Sequence, residues 1–148
     1  MIIVLDTSVV VELDRKNAET IEIIKLAMGK EKQLIVSTVT VSEILAGAYR
    51  KKAPSQAIAE AKMLLSQFLK VNVDGETAEK AGQYLAYLLD TKQKIEYQDV
   101  VIAATFKTAN ADYLLTLNKA DFLVLPGLAG KVLTPSEFSS VLKAVQKQ

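Results

Sequence analysis

Hydrophobic and polar positions along the chain follow two rhythms. Short unbroken apolar runs recur: Ile2-Ile3-Val4-Leu5, then Leu34-Ile35-Val36, then Tyr113-Leu114-Leu115. Runs this short and rich in β-branched side chains predict strands buried on both faces, over residues 2–5, 34–37 and 113–116. Val71-Asn72-Val73 predicts a weaker strand over 71–73. Between these runs the apolar residues fall at helical spacing. Residues 7–13 predict a short helix leaving the first strand. Ile21, Ile24 and Met28 predict a helix over 17–29, and a further helix follows over 41–52. Ala57, Ala61, Leu64 and Phe68 predict one that opens at Pro54, and Ala78, Ala81, Leu85 and Leu88 predict the next. Residues 100–109 are apolar on nearly every side, which predicts a central, buried helix. Pro126-Gly127 marks a turn, and Thr134-Pro135-Ser136-Glu137 has the spacing of a capping box for a terminal helix.

Strands alternating with helices predict an α/β fold with a central, mainly parallel sheet between two helical layers. No repeat, low-complexity tract or Pro/Gly-rich linker interrupts the pattern. The 148 residues therefore read as one domain over 1–148. In such sheets the functional site lies outside the carboxyl ends of the strands.

Four acidic residues stand where that rule makes them conspicuous. Asp6 directly follows the first apolar run, and Glu43 lies in Thr40-Val41-Ser42-Glu43-Ile44-Leu45. Asp99 opens Val100-Val101-Ile102-Ala103-Ala104, and Asp121 ends Thr116-Leu117-Asn118-Lys119-Ala120-Asp121. Each has a structural alternative. Asp6 and Asp99 suit helix N-caps. Glu43 fits a capping box with Thr40, and Asp121 suits a loop. Against this, Asp99, Ile102, Ala103 and Phe106 share one helical face, where an acid is costly unless paired or bound to a metal. Glu12, Asp14, Asp90 and Asp112 are rival acids. Four converging carboxylates repel one another, and a hard divalent cation such as Mg²⁺ relieves that repulsion. Carboxylate-held Mg²⁺ is suited to phosphodiester cleavage.

Composition narrows the chemistry further. The chain has no Cys and no His. That removes disulfides, thiolate zinc sites, Cys nucleophiles, Ser-His-Asp triads and imidazole bases, and leaves the acids as the main reagents. Net charge is +1, unlike a general nucleic-acid binder. Basic residues are nonetheless grouped at Tyr49-Arg50-Lys51-Lys52 and at Arg15-Lys16, with Lys30, Lys32, Lys92 and Lys94 in expected loops. A basic rim around an acidic centre suits a phosphate backbone. No signal peptide or membrane-length apolar stretch is evident, so a cytoplasmic location is expected. Apolar positions on two helices, Leu64, Leu65 and Phe68 on one and Tyr84, Tyr87 and Leu88 on the other, suggest self-association.

Leu5-Asp6-Thr7-Ser8, Ser42-Glu43-Ile44, Asp99 with its apolar run, and Thr116-Leu117-Asn118-Lys119-Ala120-Asp121-Phe122 together resemble the PIN-domain ribonucleases, and among them the VapC toxins of prokaryotic toxin–antitoxin pairs. The resemblance implies a three-layer α/β/α PIN-like fold and Mg²⁺- or Mn²⁺-dependent endonucleolytic cleavage of RNA. It implies that Asp6, Glu43, Asp99 and Asp121 form the catalytic and metal-binding quartet. Thr7 or Ser8, Thr116 and Asn118 would be supporting polar groups. It further implies a homodimer and silencing by a cognate VapB-like antitoxin. Leu117, where many relatives carry Arg, and Gln98 depart from the family pattern without touching the quartet.

Other classes fit less well. A receiver-type phosphoacceptor needs paired acids after the first strand. A haloacid-dehalogenase-like phosphatase needs Asp-x-Asp, which Asp6-Thr7-Ser8 breaks. No GxxxxGK[ST] loop is present. The remaining alternative is a PIN-like module that binds RNA or a partner without cutting.

Overall fold

The computed structural model describes residues 1–29 and 31–145. Lys30, one of the basic residues noted above, lies outside the described residues. Five strands, β1 (Ile2–Leu5), β2 (Gln33–Ser37), β3 (Leu69–Val71), β4 (Tyr113–Leu115) and β5 (Val132–Leu133), form one sheet in the order β3-β2-β1-β4-β5. Every pairing is parallel, with Val4 opposite both Ile35 and Leu114. The helices are α1 (Thr7–Asp14), α2 (Ala18–Ala27), α3 (Thr38–Tyr49), α4 (Pro54–Leu65), α5 (Gly75–Asp90), α6 (Tyr97–Thr108), α7 (Lys119–Leu123) and α8 (Pro135–Val145).

Strand pleating divides the core in two. Ile3, Leu5, Leu34, Val36 and Leu115 face one layer, packed by α1, α2, α3, α4 and α8. Val4, Ile35 and Leu114 face the other, packed by α5, α6 and α7. Both faces being covered explains why the strands read as continuous apolar runs rather than alternating ones. Helix α6 is buried from Val100 through Phe106, as its all-round apolar sequence predicts. The capping box at α8 forms: Glu137 accepts from the Thr134 N–H at 2.8 Å, and the Glu137 N–H donates to Thr134 Oγ1 at 3.2 Å.

Several sequence expectations are corrected. Helix α3 begins at Thr38 rather than at 41, because Ser37 is its N-cap and its hydroxyl accepts from the Val39 N–H. Helix α6 begins at Tyr97 rather than at 100, after Glu96. Strand β3 covers Leu69–Val71 rather than 71–73. Strand β5 and helix α7, two and five residues long, are too short to show a period. The proposed self-association face also changes. Leu65, Phe68, Tyr84 and Leu88 are core residues, each no more than 5% exposed. The outward side of α5 instead carries Ala78, Gly82, Leu85, Ala86 and Leu89 at helical spacing, all exposed. No described helix is long and apolar enough to cross a membrane.

Candidate active site

The sheet order reverses direction between β1 and β4, and the crevice at that switch point is where open α/β sheets bind ligands. Asp6 and Thr116 sit there side by side. The Asp6 N–H donates to the Leu115 carbonyl at 2.9 Å and keeps Asp6 in register with β4. Asp6 occupies the N-cap position of α1, but its side chain makes no capping bond. Its Oδ2 instead accepts two hydroxyl protons, from Ser8 at 2.6 Å and from Thr116 at 2.8 Å. Each hydroxyl in turn accepts a backbone N–H from the next loop, Leu117 onto Ser8 at 3.0 Å and Asn118 onto Thr116 at 2.9 Å. The loop after β4 is thereby tied to the carboxylate that ends β1.

This network saturates Oδ2 and leaves Asp6 Oδ1 buried without a partner, in a residue only 2% exposed. A buried carboxylate oxygen with nothing to accept is costly. The other such side-chain atom among the described residues is the Tyr84 hydroxyl, in the apolar layer under α5. Asp6 is among the acids whose charges reach Asp99, whereas no charge shifts Tyr84: burial alone pushes its phenol up to about 12.

Glu43 lies inside α3, five residues after its first residue, so the capping box with Thr40 does not exist. Thr40 is fully buried and Glu43 half-buried on an adjoining part of the helix. Thr7 Oγ1 donates to Glu43 Oε1 at 2.8 Å and lies 3.0 Å from Thr40 Oγ1. A hydroxyl has one proton, and the carboxylate is the stronger acceptor for it. Thr7 thus joins the start of α1 to α3 and holds Glu43 at the residue that follows Asp6. Thr40 was not among the sequence candidates; its signal was its place one helical turn before Glu43.

Asp99 is third in α6, not its N-cap; Glu96 holds that position. Burial raises the Asp99 carboxyl most, and the charges of Asp6, Asp121, Glu43 and Glu96 raise it further, to about 7 from an ordinary 3.8. The charges of the other three expected acids therefore all reach Asp99. Asp121 is exposed in the first turn of α7, and Asn118 is the α7 N-cap residue without a capping side-chain bond. Glu96 joins the group as a fifth acid that sequence reasoning missed.

Among the described residues, no three acidic side chains stand close enough to grip one ion directly. The donor set still suits Mg²⁺, which keeps several waters and takes only one or two carboxylates directly. Asp6 Oδ1, an acceptor with no competing donor, is the atom that would hold such an ion first.

The rival acids are used elsewhere. Glu12 pairs with Arg15 at 3.7 Å, and Asp14 with Lys51 at 3.6 Å. Asp112 accepts the Ile2 N–H at the opposite sheet edge, and Asp90 ends α5. The basic rim is only partly at the cleft. Arg15 and Lys16 follow the far end of α1, and Lys32 precedes β2 at the amino edge. Lys92 and Lys94 lie on the loop entering α6, and Arg50 and Lys52 follow α3.

Replacing the fully buried Thr116 by Val removes one bond to a carboxylate and leaves the Asn118 N–H without its acceptor. The expected loss is about 2 kcal/mol, or roughly 4–8 °C in Tm. Thr116→Ser should lose markedly less. Thermal unfolding of the two variants checks this.

The PIN domain family model matches residues 3–127. No curated protein matches the sequence significantly. Among solved structures, the fold is similar to VapBC2 from Rickettsia felis bound to a promoter DNA fragment, with TM-score 0.82, 21% identity, 90% of this chain and 98% of that chain covered. It is similar to DNA-bound VapBC from Salmonella typhimurium, with TM-score 0.81, 21% identity, and 91% and 98% covered. It is also similar to VapC20 of Mycobacterium tuberculosis, described as a sarcin-ricin loop cleaving toxin, with TM-score 0.57, 18% identity, and 76% and 86% covered. At these identities the likeness establishes the fold.

Proposed function

The chain belongs to the PIN domain family, and from that premise we propose that it is a metal-dependent endoribonuclease, the toxin of a VapBC-type toxin–antitoxin pair. The observation that carries the reading is the buried, partnerless Asp6 Oδ1, in one of the acids whose charges, with those of Glu43 and Asp121, converge on Asp99. Asp6, Glu43, Asp99 and Asp121 are its catalytic and metal-binding residues. Thr7, Ser8, Thr116 and Asn118 support them. The whole chain, 1–148, acts as one domain.

Held by Asp6 with the neighbouring acids, Mg²⁺ or Mn²⁺ would supply Lewis acidity at the scissile phosphate and would lower the pKa of the attacking water. The protein does the rest by position. Ser8 and Thr116 hold Oδ2 of Asp6 and leave Oδ1 free to ligate. Thr7 holds Glu43 in the cleft. Asp99, whose carboxyl is pushed up by burial and by the neighbouring acids while no cation is bound, would be returned to its charged form by the metal and would orient the attacking water. Asp121, on the exposed side, faces the path by which substrate enters.

The test is incubation of a labelled, unstructured RNA with the purified protein and Mg²⁺ or Mn²⁺, beside excess EDTA. Internal cuts with metal and intact RNA in EDTA are expected. RNA bound but never cut in any metal would instead support the silent binding module.

The partner is a VapB-like antitoxin acting in the cytoplasm. Similarity to VapBC complexes supports it, and an Arg from a basic antitoxin segment is chemically suited to the acidic cleft. Copurification of a small basic protein encoded beside this chain would reveal it. The homodimer is proposed along α5, whose Ala78, Gly82, Leu85, Ala86 and Leu89 stripe lets two helices approach closely. Leu89, 80% exposed, makes it testable without disturbing the core. Leu89→Glu is expected to give a monomer mass by light scattering with unchanged Tm. A dimer that persists in this variant and in Leu85→Glu would place self-association elsewhere.

A further inference from the structure

Helix α3 carries more than Glu43 to the cleft. Seven residues and almost two full turns separate Glu43 from Arg50, the C-cap residue of α3, so the two lie on one face. Gly47 lies between them on that face, one turn from each. It is exposed, and a Cβ placed there would meet nothing within 4 Å. Ala46 beside it is exposed as well. The buried side of α3, Thr40, Ile44 and Ala48, lies to one flank. The helix therefore offers a bare backbone strip that starts at the acidic cleft and ends at a guanidinium.

Arg50 is exposed, and no ion pair to it is found among the described residues. Its neighbour Lys51 is held by Asp14 at 3.6 Å. The two basic residues thus differ in role: Lys51 ties α1 to the end of α3, while Arg50 is free for an external anion.

We propose that the Gly47 strip is the floor of the substrate path and that Arg50 binds a phosphate of single-stranded RNA flanking the cut. The idea rests on the nuclease reading and extends it to how the strand is held. From Glu43 to Arg50 the helix rises about 10 Å, roughly three stacked nucleotides at about 3.4 Å each. The missing side chain at Gly47 lets the sugar–phosphate backbone lie close to the helix, and the guanidinium fork matches phosphate geometry. Arg50 is accordingly a positioning residue, acting on affinity rather than on the chemical step.

The experiment measures binding of a fluorescent twelve-nucleotide unstructured RNA across a range of KCl concentrations, together with kcat and KM for its cleavage in Mn²⁺. The proteins are wild type, Arg50→Gln, Arg50→Lys, Gly47→Gln and, as control, Lys25→Gln on the exposed side of α2. Arg50→Gln should raise KM about tenfold with kcat within twofold, and should make the slope of log affinity against log salt shallower by about 0.7. Arg50→Lys should restore the slope, and Lys25→Gln should leave it unchanged. Gly47→Gln should weaken RNA binding at least tenfold while raising Tm, because Gly is a poor helix residue and the new side chain has open space. Gain of stability with loss of binding separates a blocked path from a damaged fold. If wild type cuts RNA but both substitutions leave KM and the salt slope unchanged, this inference fails and the nuclease reading stands. If wild type neither binds nor cuts RNA, both fail.

Discussion

Asp99→Asn is expected to lower RNA cleavage by about 10²-fold or more and at the same time to make the protein more stable above neutral pH. Asp99 sits half-buried on the inward face of α6, and its carboxyl is pushed up to about 7 by burial and by Asp6, Asp121, Glu43 and Glu96. In the unfolded chain it titrates near its ordinary 3.8. Between those values the native state holds a proton that the unfolded state has lost. Stability therefore falls as pH rises through this window, and the loss is complete above about pH 7. Asn resembles the protonated acid and avoids the loss. Each pKa unit corresponds to about 1.4 kcal/mol. Solvent screening of a partly exposed group reduces the total to on the order of 1–2 kcal/mol. In EDTA, wild type and Asp99→Asn should melt together at pH 4 and diverge by several degrees at pH 8, with the variant higher. Equal melting at both pH values, or a variant that loses stability at pH 8, would show that Asp99 is not strained by its neighbours.

The other large effect is expected at Asp6, for a different reason. Both Ser8 and Thr116 donate to Oδ2, so in Asp6→Asn the amide oxygen must take that position to keep them satisfied. The amide nitrogen then occupies the place of Oδ1 and presents hydrogens where a cation needs a lone pair. The substitution removes a charge and also inverts the polarity of the one partnerless atom in the cleft. Disturbing groups that merely orient a metal ligand costs about 10–100-fold in affinity or activity, and loss of this atom should exceed that. Cleavage by Asp6→Asn should be undetectable at enzyme concentrations where wild type completes the reaction. Because the two hydroxyl bonds survive, Tm should stay equal to or above that of wild type. A collapse in Tm would mean that activity was lost through the fold instead.

The sequence carried much of this because the chemistry sits on elements with strong signals. β1, β2 and β4 are uninterrupted apolar runs, and α6 is apolar all round, so the parallel sheet and the carboxyl-edge position of Asp6 follow from pattern alone. Where helix starts depend on one residue, pattern was misleading. Ser37 rather than Thr40 caps α3, and Glu96 rather than Asp99 precedes α6. Each shift of three residues moved an acid from a capping role into the body of the helix, which strengthened its case as a site residue. The apolar positions of α5 were misassigned for a related reason. Tyr84 and Leu88 share a helix with Leu85 and Leu89, and periodicity alone does not say which stripe meets the core. Of the two partners of Asp6, Ser8 is two residues away, but Thr116 Oγ1 reaches it across 110 residues, a contact that no local pattern encodes.

Docking of a divalent cation at Asp6 Oδ1 is read without any substrate by calorimetric titration of Mn²⁺ into the purified protein. Wild type should bind Mn²⁺ with a measurable heat that EDTA abolishes, and Asp6→Asn should bind at least about 100-fold more weakly, with Thr116→Val in between. Mn²⁺ binding of equal strength in wild type and Asp6→Asn would contradict the account.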